Sequence, residues 1–262
     1  MVESLKELNH LCQKPDYKTK GNWYVRTILR DAALPMTWLL LHTRVTANQV
    51  TLGSLAIGLA GICLLATPGA GPFGAGVLLL QLWYYLDHVD GQIARYRKTA
   101  SLTGRFLDFL THHIVHAALF FSLGYFNFIL TGRSLFVAWG FVSVLSIMAF
   151  NMIHDVKYKT FFEKLAQNGG SIKKLSGPGQ NGSMSSASKK VFSFLHKTCE
   201  IHVMMNALTL SAPIQIFLIN RELRMPLFII YGSLAPILAL SKLFYVLQTR
   251  KIDKEYEEMI HG

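Results

Sequence analysis

Charged residues are scarce in this sequence. Asp, Glu, Lys and Arg make up 16% of its 262 residues, whereas 51% of the residues are hydrophobic. The stretch from Val45 to Leu86 contains no charged side chain at all. This composition is unusual for a soluble domain, and uncharged runs of this length are typical of helices that cross a bilayer. The sequence therefore predicts a membrane protein.

Cysteine is also rare, and two familiar nucleotide-binding signals are missing. The three cysteines, Cys12, Cys63 and Cys199, are too scattered for a disulfide framework or a zinc site. The Gly-rich stretch at 177–183 lacks the Gly-Lys-Ser/Thr ending of a P-loop. The net charge of +11 accompanies no RNA- or DNA-binding motif. We therefore expect this charge to contact anionic lipid rather than nucleic acid.

Six apolar segments predict an all-α integral membrane protein with six transmembrane helices. A Pro/Gly cluster at 68–72 divides the uncharged run into two spans, each long enough to cross a bilayer core. The other four predicted spans are Phe109–Thr131, Ser134–Ile153, Ile201–Asn220 and Met225 to about Thr249. Before the first span, the segment Asn22–Thr43 predicts an amphipathic helix in the membrane interface, bent at Pro35. An ordinary juxtamembrane linker is the alternative for that segment.

The distribution of Lys and Arg predicts the orientation in the membrane. Of these 26 residues, only Arg133, Arg221 and Arg224 fall in predicted outer loops, so both termini are expected in the cytoplasm. The chain would then consist of a cytoplasmic and interfacial segment (1–44), a six-helix transmembrane domain (45–250) and a cytoplasmic tail (251–262). Within the domain, a segment with a Gly-, Ser- and Lys-rich centre predicts a flexible cytoplasmic loop at about 157–197, in which Phe161–Gln167 is a candidate interfacial helix.

The polar residues between the second and third spans are spaced for a shared site. Asp87, Asp90, Gly91 and Ala94 recur at i, i+3, i+4 and i+7, which places them on one helical face. Gly104, Asp108 and His112 follow at intervals of four on the next helix. Two such faces would surround one small volume with three carboxylates and an imidazole. The alternative is that these charges only mark the ends of two spans.

Clustered carboxylates suit hard divalent cations such as Mg²⁺ or Mn²⁺. Two ions about 3.5–4 Å apart would clamp the attacking and leaving oxygens of a displacement at phosphorus. Arg95 and Arg105 would pair with phosphate oxygens. Thr46 is a candidate cap for the first span, and the positive end of that helix would favour an anion near the same carboxylates.

The pattern Asp87-x-x-Asp90-Gly91-x-x-Ala94-Arg95, eight residues and then Gly104-x-x-x-Asp108 strongly resembles the signature of the CDP-alcohol phosphotransferases. Members of that family are membrane enzymes that move a substituted phosphate from a CDP-alcohol to a second alcohol and release CMP. The resemblance implies that the three aspartates bind divalent metal. It also implies that Gly91, Ala94, Arg95 and Gly104 lie along the CDP, with Asn48 near the diphosphate.

The sequence departs from the family pattern at His112, where the resemblance leads us to expect a fourth aspartate that acts as general base. Three interpretations remain open. In the first, His112 is still the base, since an imidazole with a pKa near 6.5 accepts protons well near neutral pH. In the second, His112 is a nitrogen ligand of the metal and favours Mn²⁺ or Zn²⁺. In the third interpretation the chain has lost activity and only binds nucleotide.

The predicted function is a metal-dependent CDP-alcohol phosphotransferase of phospholipid synthesis, with its active site on the cytoplasmic side. We expect CDP-diacylglycerol as donor and a small polar alcohol as acceptor. Alternatives are transfer from a small CDP-alcohol to a lipid hydroxyl, a catalytically silent binding protein, and a small ion transporter. Carboxylates confined to one membrane edge argue against a continuous ion path. The family resemblance also implies a homodimer.

Overall fold

The computed structural model describes residues 3–13, 17–19, 23–167, 200–219 and 221–261. All regular structure in these ranges is helical. The elements are α1 (Leu5–Cys12), a π-helical turn (Val25–Leu29), α2 (Arg30–Ala32), α3 (Leu34–Leu41), α4 (Ala47–Leu65), α5 (Ala70–Tyr96), α6 (Leu102–Thr131), α7 (Leu135–Gln167), α8 (Ile201–Ile214), a second π-helical turn (Gln215–Ile219), α9 (Arg224–Thr249) and α10 (Lys251–His261). They form two compact units, Met1–Ser122 with Leu208–Arg221, and Leu123–Ala207 with Glu222–Gly262.

In the first unit, the N-terminal helix α1 packs against the end of α5. A capping box opens α1: Ser4 Oγ accepts from the backbone N–H of Glu7 at 3.5 Å, and Glu7 Oε2 accepts from the Ser4 N–H at 3.1 Å. The buried face of α1, Leu8 and Cys12, joins a hydrophobic cluster with Val89 of α5. Burial raises the pKa of the Cys12 thiol to about 11, so this cysteine serves packing rather than redox chemistry.

The predicted interfacial segment is helical where the structure describes it, in the first π-helical turn, α2 and α3. Pro35 lies in the first turn of α3, where its missing N–H costs no helical hydrogen bond. The side chains of Trp23 and Leu39 are 63% and 55% exposed, as expected of apolar residues that contact lipid at a membrane interface. The location of this segment in a membrane interface stays a prediction.

Helices α4 and α5 approach each other closely through two glycines. A Cβ added to Gly61 would lie 2.8 Å from the carbonyl oxygen of Gly76, and a Cβ added to Gly76 would lie 2.8 Å from that of Gly61. Small residues permit this backbone contact, which is typical of helix pairs in membranes. The contact fixes the register of the pair and holds Thr51 of α4 beside Asp90 of α5.

Replacing Gly61 with valine is therefore expected to destabilise the protein by about 1–3 kcal/mol, because overpacking forces the two helices apart. The midpoint of thermal unfolding in detergent measures this effect. Gly53→Ala is the matched control on the same helix, since a Cβ there meets nothing within 4 Å. Alanine also favours the helix by up to about 1 kcal/mol. Equal midpoints for the two variants would contradict the close contact.

The second unit is built on α7, α9, α10 and the end of α6. A Cβ added to Gly124 would lie 2.8 Å from the Cα of Gly140, so α6 and α7 also meet through small residues. The side chain of Arg224 is fully buried, lies over the ring of Phe126, and pairs with Glu222 through an Nε–Oε2 distance of 2.8 Å. This pairing satisfies a charge that would be costly to bury alone.

Five described helical segments are long and apolar enough to cross a membrane. They are Ala47–Leu65, Leu102–Thr131, Leu135–Gln167, Ile201–Ile219 and Arg224–Thr249. Helix α5, which contains the second of the six predicted spans, is not among them, because Gln81 and three aromatic residues follow its leucine run and Asp87 comes soon after. The integral membrane class is thus supported, while the sixth span and the side on which each end lies stay predictions.

The predicted loop at about 157–197 begins later than expected, and the candidate helix at Phe161–Gln167 is confirmed as the end of α7. Helix α7 continues through Gln167, because no proline or glycine interrupts it after the apolar part. Its last turns pack Phe161 against Tyr256 of α10, and Lys157 Nζ lies 2.7 Å from Glu255 Oε2. The rest of the predicted loop, 168–199, lies outside the described residues. The predicted tail, 251–262, is largely helix α10.

Candidate active site

Two carboxylates and an imidazole meet where α5 and α6 face each other. His112 Nε2 lies 3.0 Å from Asp87 Oδ1 and 3.3 Å from Asp108 Oδ1. One ligand atom from each of these residues lies within 4.8 Å of the other two, a separation that one metal ion can bridge. Asp108 and His112 are four residues apart on α6, so both point the same way from that helix. The structure thus brings together three of the four predicted metal ligands.

The fourth predicted ligand, Asp90, lies one turn along α5 and is 8% exposed. Thr51 Oγ1 donates a hydrogen bond to Asp90 Oδ2 at 2.5 Å, and Thr51 itself is 4% exposed. Hydrogen bonds to an ionised group are about twice as strong as neutral ones. Thr51 therefore fixes the orientation of the Asp90 carboxylate, a role that the sequence alone did not reveal.

Removal of the Thr51 hydroxyl is expected to impair the site while preserving the packing of α4. Thr51→Val keeps the shape of the side chain and deletes the donor. Since a hydrogen bond to a charged group contributes about 1.5–3 kcal/mol, we expect Mn²⁺ affinity to fall roughly 10- to 100-fold. Manganese titration followed by EPR measures this change. Thr51→Ser restores the donor and should restore affinity; equal affinity in the valine variant would contradict the role.

A cavity of about 680 Å³ opens beside Asp90 and Asp108. The six residues predicted to contact the nucleotide come from three helices and share this one cavity. They are Asn48 of α4, Gly91, Ala94 and Arg95 of α5, and Gly104 and Arg105 of α6. A ligand in the cavity would therefore touch both helical faces and reach the carboxylates at the same time.

The N-terminus of α4 forms one end of this cavity. Thr46 Oγ1 accepts from the backbone N–H of Gln49 at 3.3 Å, which confirms the predicted cap. Asn48 lies in the first turn, where the helix dipole favours negative charge. A Cβ on Gly104 would lie 3.2 Å from Asn48 Oδ1, so glycine leaves room for the amide. This end of the cavity suits a phosphate group.

Arg97 lines the same cavity but has a structural task. Its NH1 donates to the carbonyl of Val45 at 2.6 Å, and its NH2 donates to the carbonyl of Thr43 at 2.7 Å. These bonds hold the connection between α3 and α4 against the end of α5. They fix the position of the α4 N-terminus, although nothing in the local sequence distinguished Arg97 from the neighbouring basic residues.

The residues that form this site lie in a region that matches a known family. The family model for CDP-alcohol phosphatidyltransferases covers residues 44–172, which include every predicted site residue. Residues 44–172 belong to the CDP-alcohol phosphatidyltransferase family. A comparison with curated proteins finds no match.

Solved structures with a similar fold come from Mycobacterium tuberculosis. Its phosphatidylinositol phosphate synthase with CDP-DAG bound is 16% identical, with a TM-score of 0.54 over 86% of this chain and 93% of that chain. The same synthase in complex with manganese and citrate is 16% identical, with a TM-score of 0.48 over 84% of this chain and 88% of that chain. At this identity, the first likeness shows that the two chains share a fold.

In this CDP-alcohol phosphatidyltransferase, packing holds the His112 ring against the carboxylates. The indole ring of Trp83 meets it edge to face with centroids 5.2 Å apart, and Trp83 is fully buried. A Cβ on Gly58 would lie 3.0 Å from Trp83 Cγ, so α4 supports the indole from behind. The placement of Nε2 near Asp87 and Asp108 brings the imidazole into the carboxylate cluster, and the choice between a base and a nitrogen ligand stays a prediction.

The donor atoms fit a divalent metal of the predicted kind. Carboxylate oxygens of Asp87, Asp90 and Asp108 are ligands that Mg²⁺ and Mn²⁺ prefer, and a single imidazole is compatible with Mn²⁺. Asp90 is buried and Asp87 largely so, which makes their like charges costly without a cation nearby. The cluster of Asp87, Asp108 and His112 therefore forms a candidate metal centre at the edge of the cavity.

Proposed function

We propose that this protein transfers the phosphatidyl group of CDP-diacylglycerol to the hydroxyl of an acceptor alcohol and releases CMP. The observation that carries the proposal is the shared cavity, in which the six predicted nucleotide contacts and the carboxylates Asp90 and Asp108 line one volume. Family membership and the fold of a synthase determined with CDP-DAG bound support this donor. We further propose that the site lies on the cytoplasmic side of a six-span protein.

The transfer exchanges one phosphorus–oxygen bond for another. The acceptor oxygen attacks the β-phosphorus of the CDP-alcohol, and the bond from that phosphorus to the bridging oxygen breaks. CMP leaves with the bridging oxygen, and the hydroxyl proton passes to the imidazole of His112. Asp87 and Asp108 lie 3.0 and 3.3 Å from Nε2, so they hold that nitrogen, orient the ring and stabilise the imidazolium that forms.

The remaining residues position the donor. The N-terminus of α4, with Asn48, and the guanidinium groups of Arg95 and Arg105 would bind diphosphate oxygens. Gly91 and Ala94 would let the nucleotide lie against α5. Divalent ions, one or two, held by the carboxylates would neutralise the diphosphate and the leaving CMP.

Release of CMP by purified protein tests the proposal. The protein in nanodiscs would receive CDP-diacylglycerol or a small CDP-alcohol, each with small polar alcohols or diacylglycerol, in Mg²⁺, Mn²⁺ or EDTA. We expect metal-dependent CMP release that needs CDP-diacylglycerol and an acceptor.

Other results of the same assay would support one of the alternative functions. Release only from a small CDP-alcohol with diacylglycerol would replace the donor assignment with the reverse transfer. Tight CDP-diacylglycerol binding without release in any combination would favour the silent binding protein. Absence of both binding and release would contradict the proposed function.

A further inference from the structure

A second, smaller cavity of about 170 Å³ reaches the same carboxylates. Its lining combines residues of the N-terminal region with the polar end of α5. Gln13, Tyr17 and Arg30 come from the N-terminal region, and His88 and Gln92 come from α5. Asp87 also lines the cavity, together with residues that line the larger cavity as well.

Hydrogen bonds between the N-terminal region and α5 build the wall of this second cavity. The carbonyl of Arg30 accepts from Gln13 Nε2 at 3.1 Å and from Gln92 Nε2 at 2.8 Å. The guanidinium of Arg30 donates to the carbonyl of Tyr17. Gln92 in turn accepts from the buried Thr37 hydroxyl at 2.6 Å. These bonds connect Arg30 to the chain around α1 and to α5, and connect α5 to α3. Specific hydrogen bonds therefore hold the wall of the cavity in place.

The lining carries both signs of charge. Arg30 and Arg95 supply two guanidinium groups, and His88 supplies an imidazole that is held at Nδ1 by the Tyr84 carbonyl at 2.9 Å. Asp87, Asp90 and Asp108 supply three carboxyl groups to the same cavity. A small molecule with an anionic group and a hydroxyl would match this arrangement, with the anion toward the arginines and the hydroxyl toward the carboxylates.

The two cavities border each other along Asp90, Gly91, Arg95 and Asp108. Displacement at phosphorus places the attacking and leaving oxygens roughly in line. A donor whose nucleotide fills the larger cavity and an alcohol in the smaller one would therefore both lie beside these shared residues. Transfer between two substrates requires such a neighbouring arrangement.

We propose that the second cavity is the acceptor subsite and that it takes a small alcohol carrying an anionic group, such as a phosphate monoester. The proposal rests on the proposed function and names its acceptor class. A volume of about 170 Å³ holds roughly six waters, which suits a few-carbon alcohol and excludes the body of a diacylglycerol. Arg30 and His88 are the residues that would select the acceptor.

Two arms of one experiment test this subsite with glycerol 3-phosphate and inositol phosphate as probes. The kinetic arm measures KM for each probe and for CDP-diacylglycerol in CMP release. The binding arm measures equilibrium dialysis of each labelled probe against Mn²⁺-loaded protein with CDP present, so that no transfer occurs. We expect Arg30→Gln to raise KM and Kd about 10- to 100-fold for whichever probe the wild type accepts. Its KM for CDP-diacylglycerol should stay within about twofold of that of the wild type.

Arg26→Gln is the matched control, because Arg26 lies one turn before Arg30 and lines neither cavity. His88→Gln is a second test variant if Arg30→Gln unfolds, and it should weaken the same probe. The subsite is overturned if both variants behave like Arg26→Gln, or if wild type neither binds nor uses either probe. CDP binding without CMP release would count against the proposed function, and the dialysis result would still decide the subsite.

Discussion

Asp90→Asn is expected to abolish metal-dependent CMP release almost completely. The side chain is 8% exposed and accepts a 2.5 Å hydrogen bond from Thr51, so its charge is held in place within the site. An amide has the same shape but cannot balance a cation. Breaking a buried charge pair costs about 3–5 kcal/mol, which corresponds to a rate loss of about 10²- to 10⁴-fold. Initial rates of CMP release at saturating donor measure this loss.

The control for Asp90 is an exposed carboxylate outside the site. Asp31 lies on α2 and lines neither cavity, so Asp31→Asn should keep the rate of the wild type within about twofold, as surface substitutions usually do. Mn²⁺ binding by EPR adds a second readout, in which only Asp90→Asn should weaken affinity. Wild-type rates in Asp90→Asn would remove this carboxylate from the mechanism.

Helical periodicity explains why so much of the site could be predicted. The spacing of Asp87, Asp90 and Gly91 on α5, and of Gly104 and Asp108 on α6, fixes which side of each helix they occupy. Once two such faces oppose each other, the residues must lie close together, and the structure brings all of them except Asp87 around one cavity, with Asp87 in the adjoining smaller cavity. The positions of six helices followed from apolar runs in the same way.

Contacts between segments that are distant in the chain leave no comparable pattern in the sequence. Thr51 meets Asp90 because Gly61 and Gly76 let α4 and α5 approach closely. A glycine in an apolar run does not reveal which helix it will pack against. Arg30 reaches the site through bonds to Gln92, 62 residues away in the chain. Such pairings depend on tertiary packing and not on local pattern, so the second cavity was not predicted.

The end of α7 shows a different limit. The apolar run predicted a span ending at Ile153, whereas the helix continues to Gln167. Hydropathy detects where a segment leaves the apolar phase, but helix termination requires a capping or breaking residue. Residues 154–167 contain neither proline nor glycine, and contacts such as Phe161 with Tyr256 extend the helix beyond its apolar part.

His112→Asn is expected to lower kcat for CMP release by about 10²- to 10⁴-fold, the usual contribution of a general base. Asparagine cannot accept the acceptor proton at neutral pH, although it can still form hydrogen bonds with Asp87 or Asp108. KM for the donor should change little, since His112 does not line the nucleotide cavity. Steady-state kinetics at several donor concentrations separate these two effects.

His113→Asn is the matched control for His112. The two histidines are adjacent on α6, but His113 Nδ1 bonds to the carbonyl of Phe109 at 2.6 Å on its own helix. His113→Asn should therefore keep kcat and the unfolding midpoint close to those of the wild type. A similar loss in both variants would indicate general damage to α6 rather than loss of a base.

His112→Asp distinguishes the interpretations of this position that remain. Aspartate can accept a proton and bind metal, so it should retain activity if the site needs a base there. Retained release in His112→Asp together with loss in His112→Asn would show that the site needs a base or a metal ligand at this position, and unchanged Mn²⁺ affinity of His112→Asn in EPR titration would then assign proton transfer to the wild-type imidazole. Release by His112→Asp from a silent wild type would instead show that the imidazole, 3.0 Å from Asp87 and 3.3 Å from Asp108, silences an otherwise complete site. Equal rates in all three proteins would exclude position 112 as the base, and the proton would then have to leave through one of the carboxylates.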